Sequence, residues 1–193
     1  MLVKNMSSDF RLYKELTEKY PRIVGVDEVG RGALAGPIVV AAVEISEEIK
    51  GVNDSKLLSR LSRATIANLL KNSCLQREYG IVTNIEIDEL GVSAALNLAY
   101  SRALENITAD IILTDNVRLP GLPHMKSVRG DQLFYPTAAA SIVAKVYRDE
   151  LMHNLHQEFP VYDWINNVGY GTKHHLDAIK KNGRCAWHRR SFG

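Results

Sequence analysis

Short β-branched and apolar runs, bounded by glycines and charges, set the rhythm of the first third of the chain. RIVGVD (Arg22–Asp27), PIVVAAVEI (Pro37–Ile45) and the stretch Glu78–Thr83 read as buried strands. Only a loop punctuated by Gly30, Gly32 and Gly36 separates the first two. That is too little for a crossover, so the sheet is predicted to begin antiparallel. A short helix is predicted over Lys14–Tyr20, closed by Pro21. Another follows the cap Ser59, with Leu61, Ala64, Ile66, Leu69 and Leu70 near helical spacing. The second half alternates helix and strand: helix over Ser93–Ile107, strand over Asp110–Thr114, strand over His124–Val128, and a long helical region over Gln132–Phe159. Such alternation implies right-handed parallel crossovers. A last helix, His174–Lys181, is capped by Thr172 and stopped by Gly183. The fold class is therefore α/β, a mixed sheet with antiparallel first strands and parallel later ones, flanked by helices. In such sheets, sites gather where the strands end.

With 193 residues and no repeat or linker, the chain reads as one domain over 1–193, with 165–193 as a basic C-terminal extension. Its 46% hydrophobic and 24% charged residues exclude a disordered or collagen-like chain. Cys74 and Cys185 lie far apart and suggest neither a disulfide framework nor a zinc knuckle, which fits a reducing, cytoplasmic setting. No stretch is apolar enough to span a membrane, and the N-terminus has no signal-peptide core. The net charge of +2 is modest, but its distribution is uneven. From Ile165 onward six lysines and arginines stand against Asp177 alone. A basic end on a nearly neutral body suits a phosphate backbone, although a solvated terminal helix would read the same way.

Four carboxylates interrupt apolar elements where charge is costly. Asp27 and Glu28 end the first strand, Asp115 ends the IILT strand, and Asp149 sits in the helix AAASIVAKVYRDELM. Carboxylates about 4 Å apart repel by about 4 kcal/mol at an effective dielectric of 20, so a convergent cluster needs a cation. Oxygen ligands without His or Cys select Mg²⁺ or Mn²⁺. Two such ions would clamp the attacking and leaving oxygens of a phosphodiester displacement. In a straight strand Asp27 and Glu28 point to opposite faces, so the reading requires the strand to end or bend at Glu28.

The stretch from Asp27 to Pro37 (DEVGRGALAGP) resembles the signature of bacterial ribonuclease HII. Asp54-Ser55-Lys56, the helix Ala138–Lys145 with Arg148-Asp149, Gly169–Thr172 with His175, and the ending HRRSF (His188–Phe192) are similar to that family's further motifs, in order. The resemblance implies a ribonuclease H-like fold and a metal-dependent endonuclease acting on the RNA strand of RNA/DNA hybrids. It also implies cutting 5′ of ribonucleotides embedded in duplex DNA, which leaves 3′-hydroxyl and 5′-phosphate ends. The catalytic and metal-binding carboxylates would be Asp27, Glu28, Asp115 and Asp149, with two Mg²⁺ or Mn²⁺ ions expected alongside substrate. The ribose 2′-hydroxyl would be read by Gly30, Arg31, Gly32 and Tyr170. That division is physically sensible, because glycine lets backbone approach a sugar and the 2′-hydroxyl separates RNA from DNA. Lys56, Arg189 and Arg190 are expected on phosphates. The resemblance further implies a monomer that acts in replication and repair without a membrane, and leaves room for recruitment by a replication clamp.

Three positions depart from the family pattern. Asn116 stands where glycine is usual, Arg129 where lysine is usual, and Val168 in place of a common lysine. Asn tolerates left-handed backbone, while Val168 removes a phosphate contact. The chain ends just after HRRSF, so the helical extension of some relatives is not expected. Lys145, four residues before Asp149, can touch phosphate or simply pair with that aspartate. Tyr170 reads equally as a ribose contact or a core aromatic. His174-His175 reads as a solvated helix start, since adjacent helical residues diverge. Rival readings are another nuclease or strand-transfer enzyme on the same fold, and a hybrid-binding module whose carboxylates are structural.

Overall fold

The computed structural model describes residues 10–52 and 58–192. The three early apolar runs form an antiparallel meander: β1 (Ile23–Val29), β2 (Ile38–Ile45) and β3 (Cys74–Val82). Two later strands, β4 (Ile111–Asp115) and β5 (His124–Ser127), add in parallel on the other side of β1, giving the order β3-β2-β1-β4-β5. The mixed sheet expected from the pattern is thus observed. β2 is buried along its whole length because helices cover both faces. Ala41, Val43 and Ile45 face the layer containing Ala138–Ala140 and Ile142, whereas Ile38, Val40 and Ala42 face Ala95, Ala99 and Tyr100.

The helices largely follow the predicted order. The first, α1 (Phe10–Thr17), begins earlier than Lys14 because Phe10 and Tyr13 are its buried anchors, with Phe10 edge-on to Tyr135 at 4.8 Å. Next, α2 (Arg60–Ser73) is capped by Ser59, whose hydroxyl accepts from Ser62 N–H at 3.1 Å. It buries Ile66 and Leu70, but Leu61 is 79% exposed, so the predicted apolar face was drawn too wide. A helix absent from the sequence reading, α3 (Asn84–Leu90), precedes α4 (Val92–Leu104). Its start is a capping box in which Thr83 and Glu86 satisfy each other's backbone.

The long helical region is really two helices, α5 (Gly130–Leu133) and α6 (Tyr135–Glu158), with extended backbone at Phe134. Pro136 explains the break, since it has no N–H to continue a helical ladder and its ring crowds the preceding turn. Its carbonyl carbon lies so near β1 that a Cβ on Gly25 would come within 2.0 Å. This contact seats α6 directly on β1. Beyond it come α7 (Trp164–Asn167) and α8 (Lys173–Asn182), the latter with the predicted Thr172 and Gly183 caps. Among the described residues, no helix is long and apolar enough to cross a membrane.

The loop between β1 and β2 is held from outside. Leu34 N–H donates to Gly169 O at 2.8 Å, Gly36 N–H to Trp187 O at 2.9 Å and Arg189 N–H to Leu34 O at 2.9 Å. Two fully buried arginines complete the attachment. Arg189 donates to the carbonyls of Gly30 (2.7 Å), Arg31 (3.0 Å) and Gly36 (2.9 and 3.0 Å). Arg148 donates to those of Pro37 (2.9 Å), Ala35 (3.1 Å) and Val168 (2.8 Å). The expectation that Arg189 contacts phosphate is therefore corrected, because its guanidinium is spent on backbone and shielded from solvent. Burial, and Arg148 beside it, push its pKa down to about 9.

Two stability predictions follow from these contacts. Gly25→Ala should drive a methyl into the first turn of α6 and cost about 3 kcal/mol in urea unfolding, at the upper end of overpacking. Arg189→Lys keeps the charge but cannot span three carbonyls. Each buried carbonyl left unpaired costs about 1–3 kcal/mol, so the urea midpoint should drop clearly with an unchanged m-value.

Candidate active site

Beyond Val26, which pairs with Thr114, β1 continues past its parallel neighbour to Val29. A pocket of about 310 Å³ opens at these strand ends, and Asp27, Glu28, Gly30, Arg31, Gly32, Arg63, Asp115, Ser141, Lys145 and Tyr170 line it. A slightly larger cavity of about 340 Å³ lies between α2, β3 and α6, but Glu150 is its only carboxylate. Convergent acidic chemistry belongs to the smaller one.

The strand does not end at Glu28, contrary to the sequence expectation. Regular pairing continues through Asp27 with Ala41, Glu28 with Val40 and Val29 with Val39, so the two carboxylates leave opposite faces. They still share one pocket because it wraps over the strand end where β4 has stopped. Burial chiefly, and then the charge of Glu28, hold the Asp27 carboxyl well above the usual range. Asp131 and Asp115 push the same way, against a backbone hydrogen bond from Glu28. Glu28 Oε2 accepts from the Tyr100 hydroxyl at 2.6 Å. That phenol, buried and facing Glu28 and Asp27, is itself pushed well above 10 and so stays a donor.

Asp115 Oδ1 accepts from Gly130 N–H at 2.9 Å. The approach needs glycine, since a Cβ there would lie 2.4 Å from Thr114 O. Asn116 follows in the left-handed region with φ 54°, the geometry its side chain was expected to tolerate. The structure brings Asp27, Glu28 and Asp115 to the pocket but leaves Asp149 outside its lining. Asp149 Oδ1 instead accepts from Lys145 Nζ at 2.7 Å, the i,i+4 pair foreseen as one alternative for Lys145. Among the described residues, no three acidic, His or Cys side chains stand close enough together to hold a metal ion as they are placed. The donor set nonetheless fits a hard divalent cation in kind. Three carboxylates ring one pocket, and Asp27 is held up by burial first and by its acidic neighbours after it.

The glycine loop forms the opposite wall. Gly30 has φ 92°, and a Cβ on it would come within 2.3 Å of Arg148 Nε. Gly32 is exposed with open space about its Cα. Tyr170 is half-buried: it lines the pocket and also packs against the layer of Ala35, Met152 and Trp164, with the Arg148 guanidinium 5.4 Å from its ring centre. Its carbonyl faces His175 Nδ1 at 2.9 Å. His175 is fully buried, which corrects the solvated helix start expected for the pair; His174 diverges toward Asp163, at 3.8 Å. His175 Nε2 in turn faces Trp164 Nε1 and His188 Nε2, each at 3.1 Å. Burial, and then His175, push His188 down to about 4, so both rings are neutral at neutral pH.

Arg190 is exposed, with its backbone N–H on Asp88 at 2.8 Å. Lys56, with the rest of its Asp54-Ser55-Lys56 motif, lies outside the described residues. Sequence reasoning missed Tyr100, Arg63, Ser141 and the clamping role of Arg148. An apolar helix pattern gives no sign that one tyrosine meets a carboxylate, and a lone arginine beside Asp149 gives none that it is buried.

Comparison with known proteins identifies the family. A model of the family described as Ribonuclease HII matches residues 24–193. A Ribonuclease HII from Orientia tsutsugamushi (strain Ikeda) is 44% identical over 175 residues, covering 88% of this chain and 85% of that protein. Among solved structures, the PCNA:RNase HII complex from Archaeoglobus fulgidus superposes with a TM-score of 0.78 at 25% identity, over 89% of this chain and 95% of that one. Bst-RNase HIII in complex with Mn²⁺ shares the fold, with a TM-score of 0.67 at 20% identity over 84% of this chain and 63% of that one. On the family match, supported by the sheet order and the acidic pocket at its strand ends, this chain belongs to the ribonuclease HII family of RNase H-type hydrolases that cut the RNA strand of RNA/DNA hybrids.

Proposed function

We propose that the chain cuts 5′ of ribonucleotides embedded in duplex DNA, as well as within longer hybrids, leaving 3′-hydroxyl and 5′-phosphate ends. The observation that carries this reading is the shared pocket of Asp27, Glu28 and Asp115 facing the open backbone of Gly30-Arg31-Gly32 and the ring of Tyr170. One wall has the donors for divalent metal and the other has the approach for a ribose. Asp27, Glu28 and Asp115 would hold two Mg²⁺ or Mn²⁺ ions together with Asp149, which the resemblance assigns to the set although it stands outside the pocket lining on its Lys145 pair. Bound there, the metal would lower the pKa of a water and offset charge on the phosphate.

The protein's own groups do the rest. The loop backbone and Tyr170 test for the 2′-hydroxyl. A deoxyribose would leave those groups unpaired at a cost of about 1–3 kcal/mol and displace the scissile phosphate. Lys145 keeps the Asp149 carboxylate oriented through their 2.7 Å contact. Arg190 and Lys56 are assigned to phosphates, and Arg189 to shaping the loop rather than touching substrate. The Mn²⁺ bound by the Bst-RNase HIII neighbour supports the choice of metal, and the PCNA of the archaeal complex supports recruitment by a sliding clamp. Ribonucleotide removal during replication and repair in the cytoplasm, by a monomer, completes the reading.

A duplex carrying one ribonucleotide, incubated with Mg²⁺, Mn²⁺ or chelator, tests it. A single metal-dependent cut 5′ of the ribonucleotide is expected, with all-DNA duplex left intact. Asp149→Asn removes one charge at constant size and should lower turnover by about a hundredfold or more while leaving duplex binding intact. Cleavage that survives chelation, or near-normal turnover by Asp149→Asn, would overturn the assignment.

A further inference from the structure

Because β1 stays regular through Val29, Glu28 faces α4 while Asp27 faces the opposite layer. A glutamate has more rotatable bonds than an aspartate, so serving the same pocket from the far face demands that something hold it. Tyr100 is placed to do so. Its ring is 2% exposed in the packed layer of α4 with Ala95, Leu96, Ala99 and Ala103, and its hydroxyl reaches Glu28 Oε2 at 2.6 Å. The ring is fixed by packing, so the hydroxyl is a fixed point rather than a mobile partner.

We propose that Tyr100 is the positioning residue for Glu28: it occupies one carboxylate oxygen from the α4 side and leaves the other for a divalent cation in the pocket. The inference rests on the proposed reading of Glu28 as a metal ligand. In metal sites generally, a hydrogen bond to the ligand's second atom fixes its orientation and is felt in metal affinity as much as in rate. Glu28 would then serve the cation through a single oxygen in a single rotamer, which reconciles two adjacent strand residues with one site.

Tyr100→Phe removes the hydroxyl and keeps the ring, so the fold should survive, as a thermal melt would verify. Two readouts bear on the proposal: Mn²⁺ binding to the substrate-free protein by calorimetry, and cleavage of a duplex with one ribonucleotide. We expect Mn²⁺ affinity to fall about tenfold and kcat by a similar factor, with KM for the duplex within about twofold. Glu28→Gln completes a double-mutant cycle. If Tyr100 acts through Glu28, adding Tyr100→Phe to Glu28→Gln should cause no further loss. Wild-type Mn²⁺ affinity and turnover in Tyr100→Phe would overturn the proposal, as would a loss confined to KM or one that adds fully to that of Glu28→Gln. If Glu28→Gln alone leaves both Mn²⁺ binding and cleavage unchanged, Glu28 is no ligand and the reading beneath the proposal has failed instead.

Discussion

The site depends on two buried guanidinium groups that bond to backbone carbonyls. The loop between β1 and β2 is neither strand nor helix, so its carbonyls lack the partners regular structure provides. Water could satisfy them only by softening the loop. Here Arg189 and Arg148 supply the donors, reaching Gly30, Arg31, Ala35, Gly36, Pro37 and Val168 from below. The fork of arginine suits the task, because one planar group can reach several carbonyls at fixed angles, which an ammonium cannot. Burying two cations near each other is costly, as the lowered Arg189 pKa shows. The return is a loop braced by two arginines that do not themselves line the pocket it borders.

The same clamp joins parts of the chain that are distant in sequence. Arg189 comes from the C-terminal segment, Arg148 from α6 one residue before Asp149, and the loop from the end of the strand that carries Asp27 and Glu28. Position along α6 is fixed at its other end by the contact of Pro136 with Gly25. A single helix thus links the strand that carries Asp27 and Glu28 to the glycine loop that follows it.

The sheet was legible in the sequence because strand and crossover patterns are local, and the caps Ser59, Thr172 and Gly183 are chemical signals at fixed offsets. What escaped was set by tertiary contact. The capping box of Thr83 and Glu86 was present but framed a helix too short to show periodicity. Pro136 sits inside an otherwise helical pattern, and a break there shows only if its missing N–H is counted. In the site, carboxylates at strand ends were readable because charge beside apolar runs is conspicuous. The role of Arg189 was misread because charge along a sequence says nothing about burial. A guanidinium satisfied by carbonyls looks the same on paper as one facing phosphate.

Val168 shows how function and fold meet in the frame. A β-branched residue at φ 44° is strained, and such backbone persists only when its surroundings over-determine it. They do so here: Val168 N–H donates to Trp164 O at 3.1 Å, and its carbonyl accepts from Arg148 at 2.8 Å. Gly169 follows with φ 87°, close enough to the loop that a Cβ would come within 2.5 Å of Ala35 O. Two consecutive left-handed residues turn the chain so that Gly169 O meets Leu34 N–H while the next residue, Tyr170, enters the pocket wall. The buried His175 then fixes the Tyr170 carbonyl, and His188, kept neutral, holds His175. The Val168 side chain is buried in the layer of Ala35 and Met152, which braces the turn that carries Tyr170.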